Sequence, residues 1–143
     1  MAITLGQRSL SRLDGVHPDL VRVVKRAAAL ATAEEDFTVL EGVRTPERQR
    51  ELYAQGRTKP GKIVTWTLKS NHFRNARTGF GHAVDLAPFP IDWNDHGRFD
   101  RLAKLIFRAA AAEGVAIRWG ADWDRDGKPR ERGETDSPHF ELA

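Results

Sequence analysis

Ala83-Val84-Asp85-Leu86-Ala87-Pro88 is a short apolar run with one acid at its centre. Its length and composition predict a buried strand, which the proline ends. A carboxylate is costly to bury unless it is paired or bound to a metal, so Asp85 needs a partner. The alternative is an Asp that caps a loop at a strand end. Since side chains alternate along a strand, Asp85 shares its face with Ala83 and Ala87, which leave room around the carboxylate.

The segments on either side of this strand predict an α+β fold. Apolar residues recur at helical spacing over residues 16–33 and 98–113. Thr45-Pro46-Glu47 fits an N-cap, a first-turn proline and an acid for a helix to about residue 55. Further strands are expected at residues 37–43, 115–120 and 139–142. We therefore expect a single domain over residues 1–143, with an antiparallel sheet and two or three packed helices.

Residues 57–81 are polar and rich in Gly, Lys and Arg. They predict a long loop with a short extended piece near residues 63–68. Loops of this length inside a small domain are usually functional.

The composition limits the classes of protein to consider. The 143 residues contain no cysteine, so transition-metal ligands must be His, Asp or Glu. The N-terminus lacks a signal-peptide pattern and no stretch approaches 18 apolar residues, so we expect synthesis in the cytoplasm and no transmembrane segment. A net charge of +3 favours an anionic partner such as a cell-wall polymer. Nucleic acid is not expected, because the basic residues are scattered and no nucleic-acid motif accompanies them.

Two histidines compete to share a metal with Asp85. His82 would project to the opposite face of a continuous strand, whereas His72 lies in the loop, across a Gly-rich turn that could fold back. Geometry favours His72. His139 opens the last predicted strand, with Asp136 three residues ahead. Together His72, Asp85 and His139 predict a zinc site with a fourth position open for water, and Asp136 is a nearby proton acceptor.

Glu141 would share a strand face with His139. It could be an ordinary strand-face residue, a partner of a ligand, or a direct participant.

These motifs occur in an order that resembles the M15 metallopeptidases. Ser70-Asn71-His72, Gly81-His82-Ala83-Val84-Asp85 and Asp136-Ser137-Pro138-His139 are similar to the family's Ser-x-His, Gly-x-Ala-x-Asp and Asp/Glu-x-x-His motifs. Gly42-Val43-Arg44 through Gln49 is similar to its Gly-x-Arg-Ser/Thr-x-x-x-Gln segment. Several segments, such as Arg118 to Trp123, resemble the branch of phage endolysins that cut L-Ala–D-Glu bonds. The resemblance implies a hedgehog/D,D-peptidase-like fold.

The first ligand departs from the family pattern. The family usually places its first zinc histidine seven residues before the aspartate, where this chain has Thr78. His72 takes this role if residues 73–78 are an inserted segment.

The resemblance implies a zinc-dependent peptidoglycan endopeptidase. His72, Asp85 and His139 would hold Zn²⁺, Asp136 would be the catalytic proton acceptor, and Arg44 would hold the substrate carbonyl or oxyanion. Gln49 is a further candidate for substrate contact. The enzyme is expected to be a monomer that lyses the wall from the host cytoplasm once a holin has permeabilised the membrane. No separate wall-binding domain is expected.

Two other functions are open at this stage. One is a D,D-carboxypeptidase or dipeptidase of the same fold, and the other is a wall-binding module without catalysis. The endolysin-like segments argue against the first. The presence of Asp136 together with the three ligand candidates argues against the second.

A second metal is also predicted. Asp122, Asp124 and Asp126 alternate ahead of Gly127, as in the opening of a calcium loop. The position expected to hold the bidentate Glu is Gly133, with Glu131 and Glu134 out of register. A chance acidic turn is therefore the competing interpretation.

Overall fold

The computed structural model describes residues 3–63, 70–122, 129–130 and 136–143. In these ranges the helices are α1 (Gln7–Arg12), α2 (Pro18–Leu30), α3 (Pro46–Ala54) and α4 (His96–Glu113), and a short 3₁₀ helix spans Ala33–Glu35. The strands are β1 (Phe37–Glu41), β2 (Ala83–Pro88), β3 (Ile117–Trp119) and β4 (His139–Leu142). The predicted α+β class is confirmed, with one helix more than expected.

The four strands form one antiparallel sheet in the order β1-β2-β4-β3. β2 and β4 are therefore central, although their sequences lie far apart in the chain. Asp85 of β2 pairs with His139 of β4, and on its other side with Glu41 of β1, next to a bulge. Since directly paired residues point to the same face, strand pairing brings distant polar residues into one row.

One face of the sheet packs against α2 and α4 to form the core. Val84, Leu86 and Phe140 point to this side and are fully buried among Leu20, Val23, Leu105 and Ile106 of the helices. Asp85, on the alternate register, therefore points to the opposite face. The helices thus support the sheet from behind and leave the row of polar residues on the other side.

Local signals explain where the helices begin and end. His17 and Thr45 cap the N-termini of α2 and α3, and each helix has a proline in its first turn.

The bounds of α4 and α2 differ from the predicted ones. Asp95 caps α4, which starts two residues earlier than predicted. This helix ends at Gly114 in the left-handed conformation, with φ 69°. α2 ends at Leu30, short of the predicted residue 33, because a Thr32–Glu35 capping box starts the 3₁₀ helix.

α1 was not predicted from the sequence, because six residues are too few to show a periodic apolar stripe. Hydrogen bonds to β1 hold this helix in place. Val39 donates its backbone N–H to Ser9 Oγ at 3.1 Å and accepts a hydrogen bond from Arg12 Nη1 at 2.8 Å on its carbonyl. α1 thus satisfies both backbone groups of Val39 that face away from β2.

The loop ahead of β2 folds back on itself. Asn75 donates its N–H to the Phe80 carbonyl at 2.8 Å, and Arg74 and Gly81 form an isolated antiparallel bridge. The chain thus returns beside its starting point, which brings His72 near Asp85. Most of the extended piece expected at residues 63–68 lies outside the described residues. Within the described ranges no helix is long and apolar enough to cross a bilayer.

Candidate metal centre

Three side chains from separate parts of the chain converge on one point. His72 Nε2 lies 3.2 Å from Asp85 Oδ1 and 3.2 Å from His139 Nδ1, and His139 Nδ1 lies 3.3 Å from Asp85 Oδ1. The three atoms form a nearly equilateral triangle. The structure therefore brings together the three ligands that the sequence predicted, and among the described residues they form the group able to hold a metal ion.

His72 is held with one nitrogen toward this point. The side chain is 2% exposed, and its Nδ1 lies 2.7 Å from the carbonyl oxygen of Gly42. Since a carbonyl only accepts, Nδ1 carries the proton and Nε2 keeps its lone pair. A Cβ at position 42 would collide with the carbonyl oxygen of Arg12, so the backbone can pass this close to α1 only with glycine at position 42. The carbonyl of Gly42 thus fixes the tautomer of His72, the first candidate ligand.

His139 is held by a carboxylate instead. Its Nε2 lies 2.8 Å from Glu141 Oε1, and the other oxygen of Glu141 accepts a 2.6 Å hydrogen bond from Asn71. Nε2 therefore donates to Glu141, and Nδ1 faces the centre of the triangle. Of the roles considered for Glu141, the structure supports that of a partner of a ligand. Asn71 links this carboxylate to the segment that carries His72.

The spacing of the three atoms fits a tetrahedral metal. Zinc bonds of 2.0–2.1 Å in tetrahedral geometry separate ligand atoms by about 3.3 Å. The observed separations are 3.2, 3.2 and 3.3 Å. Asp85 Oδ1 is buried and, within the described part of the chain, accepts no hydrogen bond of good geometry. A buried oxygen so placed between two imidazoles is suited to a cation.

Two pKa shifts show how strongly these groups interact. Burial raises the pKa of the Asp85 carboxyl, but the adjacent His139 and His72 outweigh burial and hold the pKa well below its usual range. Burial lowers the pKa of His139, but Asp85 and Glu141 outweigh it and raise the pKa to about 9. In the metal-free protein His139 is therefore protonated at neutral pH.

Asp136 lies beside the triangle. Its Oδ2 is 3.8 Å from His139 Nδ1, and the side chain is 52% exposed. Burial of part of the carboxyl and the charge of Asp85 raise its pKa. The turn is tightly packed, because a Cβ at Gly120 would lie 2.9 Å from Asp136 Cβ, and Trp119 Nε1 donates a 2.6 Å hydrogen bond to the Ser137 carbonyl. An accessible carboxylate with a raised pKa is suited to proton transfer.

Arg44 lies on the far side of Asp85 and is held on three sides. It forms a two-point ion pair with Glu41, at 2.9 and 2.7 Å, and its Nη1 donates to Gln49 Oε1 at 2.8 Å. Its Nη2 lies 3.5 Å from Asp85 Oδ2. Burial opposes its charge, but the bond to Glu41 raises the pKa of the guanidinium further. The cation is thus fixed beside the candidate metal ligands.

Gln49 lies beneath this cation and is 1% exposed. Its side-chain oxygen accepts a hydrogen bond from Arg44, so Gln49 helps to position Arg44. Direct contact of Gln49 with substrate stays a prediction.

His82 lies away from the triangle, as side-chain alternation predicted. Its Nε2 is 2.9 Å from Thr78 Oγ1, and its ring meets that of His17 edge-on at 5.3 Å. Burial and the neighbouring His17 lower its pKa.

The predicted calcium loop is only partly described. Asp122 donates its N–H to the Trp119 carbonyl at 3.0 Å, at the end of β3. Asp124 and Asp126 lie outside the described residues. Calcium binding stays a prediction.

A model of the family described as phage L-alanyl-D-glutamate peptidase matches residues 1–143. The chain belongs to this family. The family and the enzyme class predicted from the sequence, a peptidase, are thereby confirmed.

Individual members of the peptidase family show how far the similarity extends. The L-alanyl-D-glutamate peptidase of Escherichia phage T5 is 32% identical over 149 aligned positions, which cover all of both chains. The peptidoglycan L-alanyl-D-glutamate endopeptidase CwlK of Bacillus subtilis (strain 168) is 32% identical over 142 positions, or 89% of this chain and 75% of CwlK. The crystal structure of the Serratia marcescens L-Ala D-Glu endopeptidase ChiX matches with a TM-score of 0.69 and 34% identity, over 96% of this chain and 87% of that one.

The sequence did not reveal every residue that holds the site. Glu41, the Gly42 carbonyl and Asn71 each fix a predicted residue: Arg44, His72 and, through Glu141, His139. Gly42 and Asn71 lie inside the recognised motifs, so their positions were a usable signal. Glu41 carried no such signal, because its role depends on the bulge between β1 and β2.

Proposed function

We propose that this peptidase is a zinc-dependent endopeptidase that hydrolyses the L-Ala–D-Glu bond in the peptide stem of peptidoglycan. The observation that carries the proposal is the triangle of His72, Asp85 and His139, with ligand spacing that suits zinc and with the half-exposed Asp136 beside it. The family and the relatives named above support the choice of bond.

The three ligands would hold the ion through His72 Nε2, Asp85 Oδ1 and His139 Nδ1. When bound, zinc supplies Lewis acidity toward a carbonyl and makes water a better nucleophile at neutral pH. Gly42 and Glu141 keep the two imidazoles in the required tautomers.

Asp136 accepts the proton of the attacking water and returns it to the leaving amine. Its position at 3.8 Å from a ligand nitrogen supports this role, and so does its partial exposure. The raised pKa makes it a stronger base than an ordinary Asp.

Arg44 faces the developing negative charge on the substrate carbonyl. A cation held by Glu41 and Gln49 does not have to reorganise as charge develops, and this favours the transition state over the ground state.

The two alternative functions have less support. The family description and the names of all three relatives specify the L-alanyl-D-glutamate linkage, which favours that bond over one between D-alanines. Family membership and the exposed carboxylate beside the triangle favour an enzyme over a wall-binding module.

The activity is tested with purified peptidoglycan and zinc-loaded protein. We expect release of free amino groups, with D-Glu as the new N-terminal residue. Asp136→Ala should keep zinc and fold but lose hydrolysis by about 10²- to 10⁴-fold, because it removes a proton acceptor and no ligand. Asp14→Ala, which removes an exposed acid after α1, is the matched control and should keep full activity. Wild-type-like hydrolysis by Asp136→Ala would remove Asp136 from the mechanism.

The biological role that we propose is lysis of a bacterial wall at the end of a phage infection. The similarity to the phage T5 peptidase over the full length of both chains supports this role. The enzyme would act as a monomeric single domain and would reach peptidoglycan from the host cytoplasm after a holin has permeabilised the membrane.

A further inference from the structure

Arg118 projects from the same face of the sheet as the candidate metal centre. It lies on β3 and pairs directly with Glu141 of β4, two residues from His139. Neighbouring strands are about 4.8 Å apart and alternate residues about 6.7 Å apart, so the Cα atoms of Arg118 and His139 are separated by about 8 Å. A side chain as long as arginine spans much of this distance.

Burial raises the pKa of Glu141, but His139, Asn71 and, through its charge without a hydrogen bond, Arg118 lower it. Glu141 already holds His139 with one oxygen and Asn71 with the other. Arg118 Nε is buried and has no hydrogen-bond partner in the part of the chain that the structure describes. Buried donors are nearly always satisfied, so one left open beside a binding face points to a ligand.

Arg118 differs in this respect from the other arginine of the site. Arg44 is engaged by Glu41, Gln49 and Asp85 and has its charge directed at the metal ligands. Arg118 is displaced along the sheet, in the row of Glu141 and Ala83. It is therefore placed to meet a charged group beside the reacting bond, while Arg44 faces the reacting bond itself.

The substrate of the proposed function supplies such a group. Glutamate has two carboxyl groups and uses one of them to continue a peptide, so the other is a free carboxylate. In an L-Ala–D-Glu linkage this carboxylate lies on the leaving side, close to the amine that hydrolysis releases. Arginine binds carboxylates through two parallel hydrogen bonds, which gives directional recognition.

We propose that Arg118 is a specificity-determining residue that binds the free carboxylate of the glutamate on the leaving side of the scissile bond. This inference rests on the proposed function. Arg118 on β3 would recognise the charge of the substrate, and the candidate metal centre between β2 and β4 would carry out the hydrolysis.

Two synthetic peptides test the proposal. Both contain L-Ala–D-Glu followed by a diamino acid, and they differ only in whether the free glutamate group is a carboxylate or a carboxamide. We expect the wild-type enzyme to cleave the carboxylate peptide with a kcat/KM about 10- to 100-fold higher, the range for a charged hydrogen-bonded contact. Arg118→Gln should lose this preference by falling on the carboxylate peptide and changing little on the carboxamide.

Two further variants separate recognition from structure. Arg118→Lys keeps the charge without the paired geometry and should show an intermediate preference. Arg101→Gln removes the same charge from an exposed site on α4, which packs on the other face of the sheet, and should keep the wild-type preference.

Three outcomes would overturn the proposal. They are equal cleavage of both peptides by the wild type, an equal fall on both peptides in Arg118→Gln, and no fall on the carboxylate peptide. Failure of the wild-type enzyme to cut either peptide, while it still releases other termini from peptidoglycan, would instead overturn the assigned bond and this proposal with it.

Discussion

At the scale of single residues, each histidine of the centre has one nitrogen committed to a fixed acceptor. His72 donates to a backbone carbonyl and His139 to a carboxylate. The remaining nitrogens and Asp85 Oδ1 therefore face one another before any ion binds. Such preorganisation limits the rearrangement that metal binding requires.

The two histidines near Asp85 should respond differently to mutation. His72→Ala removes one of the three candidate ligands and should lose most of the bound zinc and the activity with it. His82→Ala, the matched control, removes a ring that contacts Thr78 and His17 instead and should keep stoichiometric zinc. Metal analysis of both purified variants measures this. Loss of zinc from His82→Ala, with zinc retained in His72→Ala, would reassign the first ligand.

The pKa shifts predict opposite pH dependences with and without zinc. The pKa of His139 is raised from 6.5 to about 9 in the folded protein, so its contribution to metal-free stability is full below pH 6.5 and is lost as pH rises through about 9. The pKa of Asp85 is lowered from 3.8, so its contribution is lost only as pH falls below that value. The metal-free protein should therefore have a higher Tm at pH 6 than at pH 9.

If zinc binds at this centre as proposed, it must displace the proton from His139, so its binding should strengthen as pH rises. The increase in Tm on adding zinc should be larger at pH 8 than at pH 6. Thermal unfolding with and without the ion measures both effects. His82→Ala should behave like the wild type. A metal-free Tm that rises from pH 6 to pH 9 would contradict the assignment of these shifts to His139.

Strand alternation and residue chemistry were enough to select the three candidate ligands, which the structure brings together. Asp85 was identified because an acid in an apolar strand needs a partner, and His82 was set aside because it would face the other way. The hydrogen bond from His72 to Gly42 was not predictable in the same way. It depends on a backbone oxygen 30 residues away in sequence, which no local pattern encodes.

At the scale of elements, β4 contributes residues both to the candidate metal centre and to the core. His139 and Glu141 point to the site while Phe140 is fully buried in the core on the other side. A change in the packing of Phe140 would therefore move both polar residues. The alternating pattern of this strand was visible in the sequence, but its position between β2 and β3 was not. Sheet order depends on contacts between segments that lie far apart in the chain.

The segment between β3 and β4 carries the calcium prediction. If Asp122, Asp124 and Asp126 bind Ca²⁺, the ion would constrain the chain that leads to Asp136 and His139, so calcium should change activity at fixed zinc. Titration calorimetry on zinc-loaded protein measures binding, and Asp124→Asn is the variant expected to weaken it. If no heat of binding is detected at millimolar calcium, the calcium prediction is wrong.

At the scale of the whole molecule, the packed helices and the candidate metal centre lie on opposite faces of the sheet. α2 and α4 cover one face through residues such as Leu20 and Ile106, and the candidate centre lies on the other. Periodicity predicted both helices, since their apolar stripes are long enough to read. Which face they would cover followed only from the register of the assembled sheet.

The proposed route to the wall predicts a dependence on membrane permeability. Expression of the enzyme alone in a Gram-negative host should leave the culture turbid, and coexpression with a holin should clear it. Asp136→Ala with the same holin is the control and should give no clearing beyond that of the holin alone. Rapid lysis without any pore-forming partner would show that the enzyme reaches the wall by another route.

The attachment of α1 to β1 should limit aggregation when the protein is concentrated. An outer strand with open N–H and C=O groups is a template on which a second chain can add a strand and start aggregation. At Val39 both groups are already bound by Ser9 and Arg12. If the enzyme accumulates in the host before lysis, as proposed, protection of the edge at this residue would be an advantage. We expect this short helix to matter more for solubility at high concentration than for catalysis.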